Sequence, residues 1–114
     1  MIPGKYNLVC PQGSTFNQQL TWTINNVPVN LTSYTAKMQV REKHISSVYN
    51  LNLTTENGGI VLGGNAGTIR LIANATSTAG IIAKEYVYDL ELNSGGEVTR
   101  LIEGKFIVTP EVTR

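Results

Sequence analysis

Apolar and polar residues alternate along most of this chain with a period of two, the spacing of side chains on a half-buried strand. From Phe16 the even positions read Phe16, Gln18, Leu20, Trp22 and Ile24, with Asn17, Gln19, Thr21 and Thr23 between them. That predicts a strand with an aromatic inner face and Trp22 as a core plug, broken by Asn25-Asn26 and Pro28. Tyr34, Ala36, Met38 and Val40 against Thr35, Lys37, Gln39 and Arg41 predict a second strand, and Tyr49, Leu51 and Leu53 a third. After the turn signal Glu56-Asn57-Gly58-Gly59 come two apolar pieces, Ile60-Val61-Leu62 and Thr68-Ile69-Arg70-Leu71-Ile72. The glycine-rich segment from Gly63 to Gly67 between them reads as a hairpin loop.

Ala73 to Ala83 does not alternate, and its small residues predict a helical turn crossing between sheets. Alternation resumes at Tyr86, Tyr88, Leu90 and Leu92, with Tyr86 placed for a tyrosine corner. Asn93-Ser94-Gly95-Gly96 predicts a tight hairpin into a strand from about Glu97 to Thr109, ended by Pro110. Ile102, Phe106 and Val108 share its inner face, and Gly104 marks a bulge or a close backbone approach. Seven to eight short strands spaced by turns predict an all-β, antiparallel, immunoglobulin-like β-sandwich.

Length and composition narrow the reading. Folding a chain of 114 residues buries about two thirds of its surface, enough for one core, so residues 1–114 read as a single domain. With 41% hydrophobic and 15% charged residues the chain is outside the range of intrinsic disorder. A net charge of +1 gives no broad electrostatic footprint for nucleic acid or an anionic membrane, so neither is expected as a partner. No apolar run approaches a membrane span, and Met1-Ile2-Pro3-Gly4-Lys5 does not open a secretory leader. The sequons at Asn30, Asn52 and Asn74 are therefore read as unglycosylated.

One Cys, one His and one Asp leave little room for catalytic or metal constellations, and no catalytic residue, cofactor or metal is expected. His44, in Arg41-Glu42-Lys43-His44, reads as a polar strand end turning into a loop. Asp89 and Glu91 share the polar face of a strand, where pairing with Lys or Arg across the sheet accounts for them better than acid–base chemistry. Their convergence with Glu103 in one pocket would instead point to a hydrolase. Gly58-Gly59 and Gly63-Gly64 lack the Lys and helix of a phosphate loop. Cys10, before Pro11, reads as a small buried hydrophobe. Arg41, Arg70, Arg100 and Arg114 form a basic patch only if the fold gathers them. The outward faces are rich in Thr, Asn and Gln, and uncharged edges of this kind are weakly protected against pairing with another strand.

Several segments occur together in a suggestive order. Gly13-Ser14-Thr15-Phe16 leads into the Trp22 strand. Pro28-Val29-Asn30-Leu31-Thr32-Ser33-Tyr34-Thr35-Ala36-Lys37-Met38-Gln39-Val40-Arg41 follows, then Leu53-Thr54-Thr55-Glu56-Asn57-Gly58-Gly59-Ile60, Tyr86-Val87-Tyr88-Asp89-Leu90-Glu91-Leu92, Val98 to Phe106 and Pro110-Glu111-Val112-Thr113-Arg114. This order resembles small virion structural proteins of tailed bacteriophages, and the block from Leu31 to Arg41 is similar to one in immunoglobulin-like N-terminal domains of baseplate and fibre-attachment proteins. Ser33 stands where such a turn would carry Gly.

The resemblance implies a non-enzymatic virion protein made in the host bacterial cytoplasm. It would be a tail, neck or baseplate adaptor that attaches fibres or other tail components. Its partners would be other phage structural proteins, met in several symmetry-related copies, and no binding residue carries over. A capsid decoration protein is the alternative. A carbohydrate-binding host-recognition module is the second, and aromatic side chains exposed in a cleft would favour it.

Overall fold

The computed structural model describes residues 4–113. Eleven strands lie among them: β1 (Gly4–Lys5), β2 (Leu8–Pro11), β3 (Phe16–Thr21), β4 (Thr23–Ile24), β5 (Val27–Pro28), β6 (Thr35–Arg41), β7 (Leu51–Thr54), β8 (Ile60–Leu62), β9 (Thr68–Ala73), β10 (Glu85–Ser94) and β11 (Glu97–Thr109). One short helix, α1 (Ala75–Ala79), joins β9 to β10. The eight strands longer than two residues build the expected sandwich.

Its larger sheet runs β1-β11-β10-β6-β7, with β2 also on the β11 edge, and its smaller sheet runs β3-β9-β8. After β3 the chain visits the sheets two strands at a time: β6 and β7 lie in the larger, β8 and β9 in the smaller, and β10 and β11 in the larger again, a two-sheet sandwich. The long β10–β11 hairpin closes through Gly95 and Gly96, both at positive φ (60° and 92°), and the Gly96 N–H donates to Asn93 Oδ1 at 3.0 Å. Tyr86 forms the corner foreseen for it, its hydroxyl donating to Ile82 O at 2.6 Å as the chain enters β10. Helix α1 makes the sheet-to-sheet crossover, capped by Asn74, whose Oδ1 accepts from Ser77 N at 2.8 Å.

Three features depart from the sequence reading. The sandwich is antiparallel except where β1 and β2 run parallel to β11. The Trp22 strand ends at Thr21, because the chain leaves the sheet into the small β4–β5 hairpin turned at Asn25 and Asn26, both at positive φ. Trp22 is consequently half-buried at the border of the core, edge-on to Tyr34 at 5.9 Å, and not a core plug. Finally, of the two readings offered for Gly104 the close backbone approach holds, against the Tyr6 carbonyl, while the bulge falls at Leu101: Leu90 pairs with Ile102 and Glu91 with Arg100, leaving Leu101 unopposed.

The core lies where the inner faces meet. Met38, Val40, Leu90, Leu92 and Phe106 of the larger sheet pack against Phe16, Ile60, Ile69 and Leu71 of the smaller. Cys10 is fully buried in it as a free thiol, and burial pushes its pKa from 9.0 to about 11. The folded chain therefore holds the thiol neutral at pH values where the unfolded chain has ionised it. Its contribution to stability is whole below pH 9.0 and fades as pH rises toward about 11. Denaturant titrations across that window should show stability falling with pH, and Cys10→Ala should flatten the fall. Burial also raises Tyr86 and Tyr88, so part of the slope should remain.

Candidate functional site

The chemistry-bearing side chains collect on the outer face of the larger sheet. Alternation puts Lys37, Gln39 and Arg41 of β6 there, and Val87, Asp89 and Glu91 of β10 beside them. In an unbroken strand Arg100 and Glu103, three residues apart, would point to opposite faces. The bulge at Leu101 resets the parity, so both face outward beside Asp89 and Glu91. Together with His44 they line an open trough of about 360 Å³.

Its charges are interleaved. Arg100 Nε lies 3.4 Å from Asp89 Oδ2, and Arg100 Nη1 lies 3.7 Å from Glu103 Oε1. Lys5, at the far edge, pairs with the other oxygen of Glu103. Glu91 stands in register between Lys37 and Arg100. The Lys5 hydrogen bond holds the Glu103 carboxyl below its ordinary range, helped by the fields of Lys5, Arg100 and His44. Arg41 braces the loop after β6: its guanidinium donates to Ser46 O at 2.8 Å and Gln39 Oε1 at 2.7 Å, and lies 6.0 Å from the Tyr49 ring centre. That loop borders the trough and exposes Ile45 (92%) and Val48 (70%).

Asp89, Glu91 and Glu103 thus do converge, the arrangement that sequence reasoning tied to a hydrolase. The surroundings of Glu103 work against its use as a general acid. A general acid needs a carboxyl kept protonated toward neutral pH, and the cations around Glu103 push it the other way. Among the described residues, no three or more His, Cys, Asp or Glu side chains are gathered as metal ligands would be. The trough is suited to contact with a surface of mixed charge.

Other candidates are spread out. Of the arginines, Arg41 and Arg100 share the trough, Arg70 lies on β9 of the opposite sheet, and Arg114 lies outside the described residues. Gly58-Gly59 and Gly63-Gly64 occupy turns on either side of β8. The Asn30, Asn52 and Asn74 side chains each accept a local hydrogen bond, from Thr32, Gln39 and Ser77. A second, apolar cleft of about 300 Å³ opens where the two sheets part, lined by Tyr6, Leu20, Trp22, Leu101 and Ile102 with Lys5 and Thr21. It holds one exposed aromatic side chain, Tyr6, and one half-buried, Trp22, but few polar groups to fix the hydroxyls of a sugar.

Nothing in the sequence before the fold linked Glu103 to Arg100. The one available signal was the adjacent apolar pair Leu101-Ile102, which interrupts the alternation of β11. No protein-family model matches the chain, and no curated protein matches it.

Proposed function

We propose that this chain is a non-enzymatic structural component of a tailed-bacteriophage particle, an adaptor of the tail, neck or baseplate that docks fibres or other tail proteins. The observation that carries the docking role is the outer face of β6, β10 and β11. There a row of paired charges borders a loop with two bare aliphatic side chains, Ile45 and Val48. Apolar anchors beside a rim of interleaved charge suit a protein partner, with the charges setting orientation and the aliphatic groups adding buried area. The phage context rests on the resemblance of the segments from Gly13 to Arg114.

The test is to separate virions of the phage carrying this gene into heads and tails and to quantify the chain in each by mass spectrometry. Enrichment with tails is the expected result. Enrichment with heads would replace the adaptor by a capsid decoration protein. Absence from both would overturn the structural role. Saccharide binding, and hydrolytic activity in the wild type compared with an Asp89→Asn, Glu91→Gln, Glu103→Gln variant, would then become the assays.

A further inference from the structure

The smaller sheet ends on one side at β3, and among the described residues no strand pairs its outer edge. The backbone geometry shows which groups that edge offers. Trp22 N–H donates to Gly67 O at 2.9 Å, and the register runs from Thr21 opposite Thr68 back to Phe16 opposite Ala73. Bonded and non-bonded pairs alternate along an antiparallel ladder. Phe16, Gln18 and Leu20 therefore bond inward to β9, and Asn17, Gln19 and Thr21 turn their N–H and C=O groups to the free edge. Among the described residues these three donate or accept no other backbone or side-chain hydrogen bond.

The sandwich guards its other edges. On β7, Asn57 caps the edge from its side chain, donating to Asn52 O at 3.0 Å and accepting from Thr54 N at 3.0 Å. Strand β8 is only three residues long, and β2 ends in Pro11. Strand β3 has six residues with no charge, no proline and no bulge. The apolar cleft beside it leaves Leu20 and Trp22 half-buried.

We infer that this edge pairs with the same edge of a second copy of the chain, antiparallel about a twofold axis at Gln19, joining two three-stranded sheets into one. The occupant follows from the strand itself. Its three outward-bonding residues are evenly spaced about Gln19, so Gln19 meets Gln19 of the second copy and Asn17 meets its Thr21, every pair bonded in both directions. A charge-free strand meets no like charge when set against itself. On the inner face Leu20 falls opposite the second copy's Gln18, covering the cleft at its open side. The inference does not depend on the phage reading.

Light scattering after size exclusion, across a concentration series of the full chain, should give a concentration-dependent dimer. Gln19→Lys places two ammonium groups across the axis and should weaken the dimer by about fivefold or more. Gln19→Glu should do the same, and mixing the two variants should restore dimerisation. Gln19 is exposed but stands opposite Arg70 on β9, so as monomers Gln19→Lys should melt slightly below and Gln19→Glu slightly above the wild type, opposite shifts, while both weaken the dimer. Hydrogen exchange should show the Asn17, Gln19 and Thr21 amides protected only where dimer forms. A monomer at every concentration, or a dimer indifferent to both variants, would overturn the inference. So would amide protection independent of concentration, which would mean that the chain covers this edge itself.

Discussion

Phe106→Ala should be among the most destabilising single substitutions in this protein, at about 3–5 kcal/mol. Phe106 is fully buried and sits in register between Tyr86 of β10 and Leu8 of β2. Its ring reaches across to the smaller sheet and meets Phe16 edge-on, centroids 5.3 Å apart at 65°. It therefore ties three strands of one sheet to the other. Truncation removes the transfer free energy of the ring and leaves a cavity that two stiff sheets cannot close. The edge-to-face pair adds about 0.5–1.5 kcal/mol beyond area. Against a total stability of about 5–15 kcal/mol, the loss should show as a large drop in denaturation midpoint at unchanged slope. Phe106→Leu, which keeps much of the volume, should cost clearly less. A loss under about 1 kcal/mol for the alanine variant would mean that the sheets are not held together at this contact.

Phe106 was readable from sequence because it obeys a local rule. Met38 and Val40 on β6 and Leu90 and Leu92 on β10 alternate with polar neighbours, and Phe106 and Val108 keep the same two-residue spacing to either side of Ile107, the spacing a half-buried strand requires. The hairpin at Gly95-Gly96, the crossover helix and the Tyr86 corner were legible for similar reasons, since each depends on residues within a few positions of one another. What escaped the sequence depends on partners distant in the chain. Trp22 continues the even-numbered row, but whether that row stays over the core is decided by where β3 leaves β9. The parallel docking of β1 and β2 on β11 has no local signature. The trough was hidden for a third reason. One unopposed residue, Leu101, changes the face of Arg100 relative to Glu103, and only the pairing with β10 reveals it. Composition and spacing thus carried the core, while the candidate site depended on a register shift.

Gly104→Ala should cost about 2–5 kcal/mol, from overpacking and from a buried hydroxyl left without its partner. Gly104 lies on β11 opposite Tyr88, at the point where the chain steps from β1 to β2. Three hydrogen bonds fix that step to β11 and β10. Tyr6 N donates to Glu103 O at 3.0 Å, Lys105 N to Asn7 Oδ1 at 3.0 Å, and the Tyr88 hydroxyl to Tyr6 O at 2.5 Å. The Tyr6 carbonyl presses into the space that a side chain at 104 would fill. A Cβ there would lie 2.9 Å from the Tyr6 carbonyl carbon and closer still to its oxygen, all backbone that cannot rotate away. The step must lift off β11, and Tyr88, only 4% exposed, then loses the acceptor for its hydroxyl. Since both losses pass through one carbonyl, the effects of Gly104→Ala and Tyr88→Phe should overlap. The double variant should cost less than the sum of the singles, with interaction energy of about 0.5 kcal/mol or more. Hydrogen exchange at Tyr6 and Lys105 should quicken in Gly104→Ala while the β6 amides stay protected. Strict additivity, or an alanine variant as stable as the wild type, would show that the close approach at Gly104 does not hold the amino-terminal strands in place.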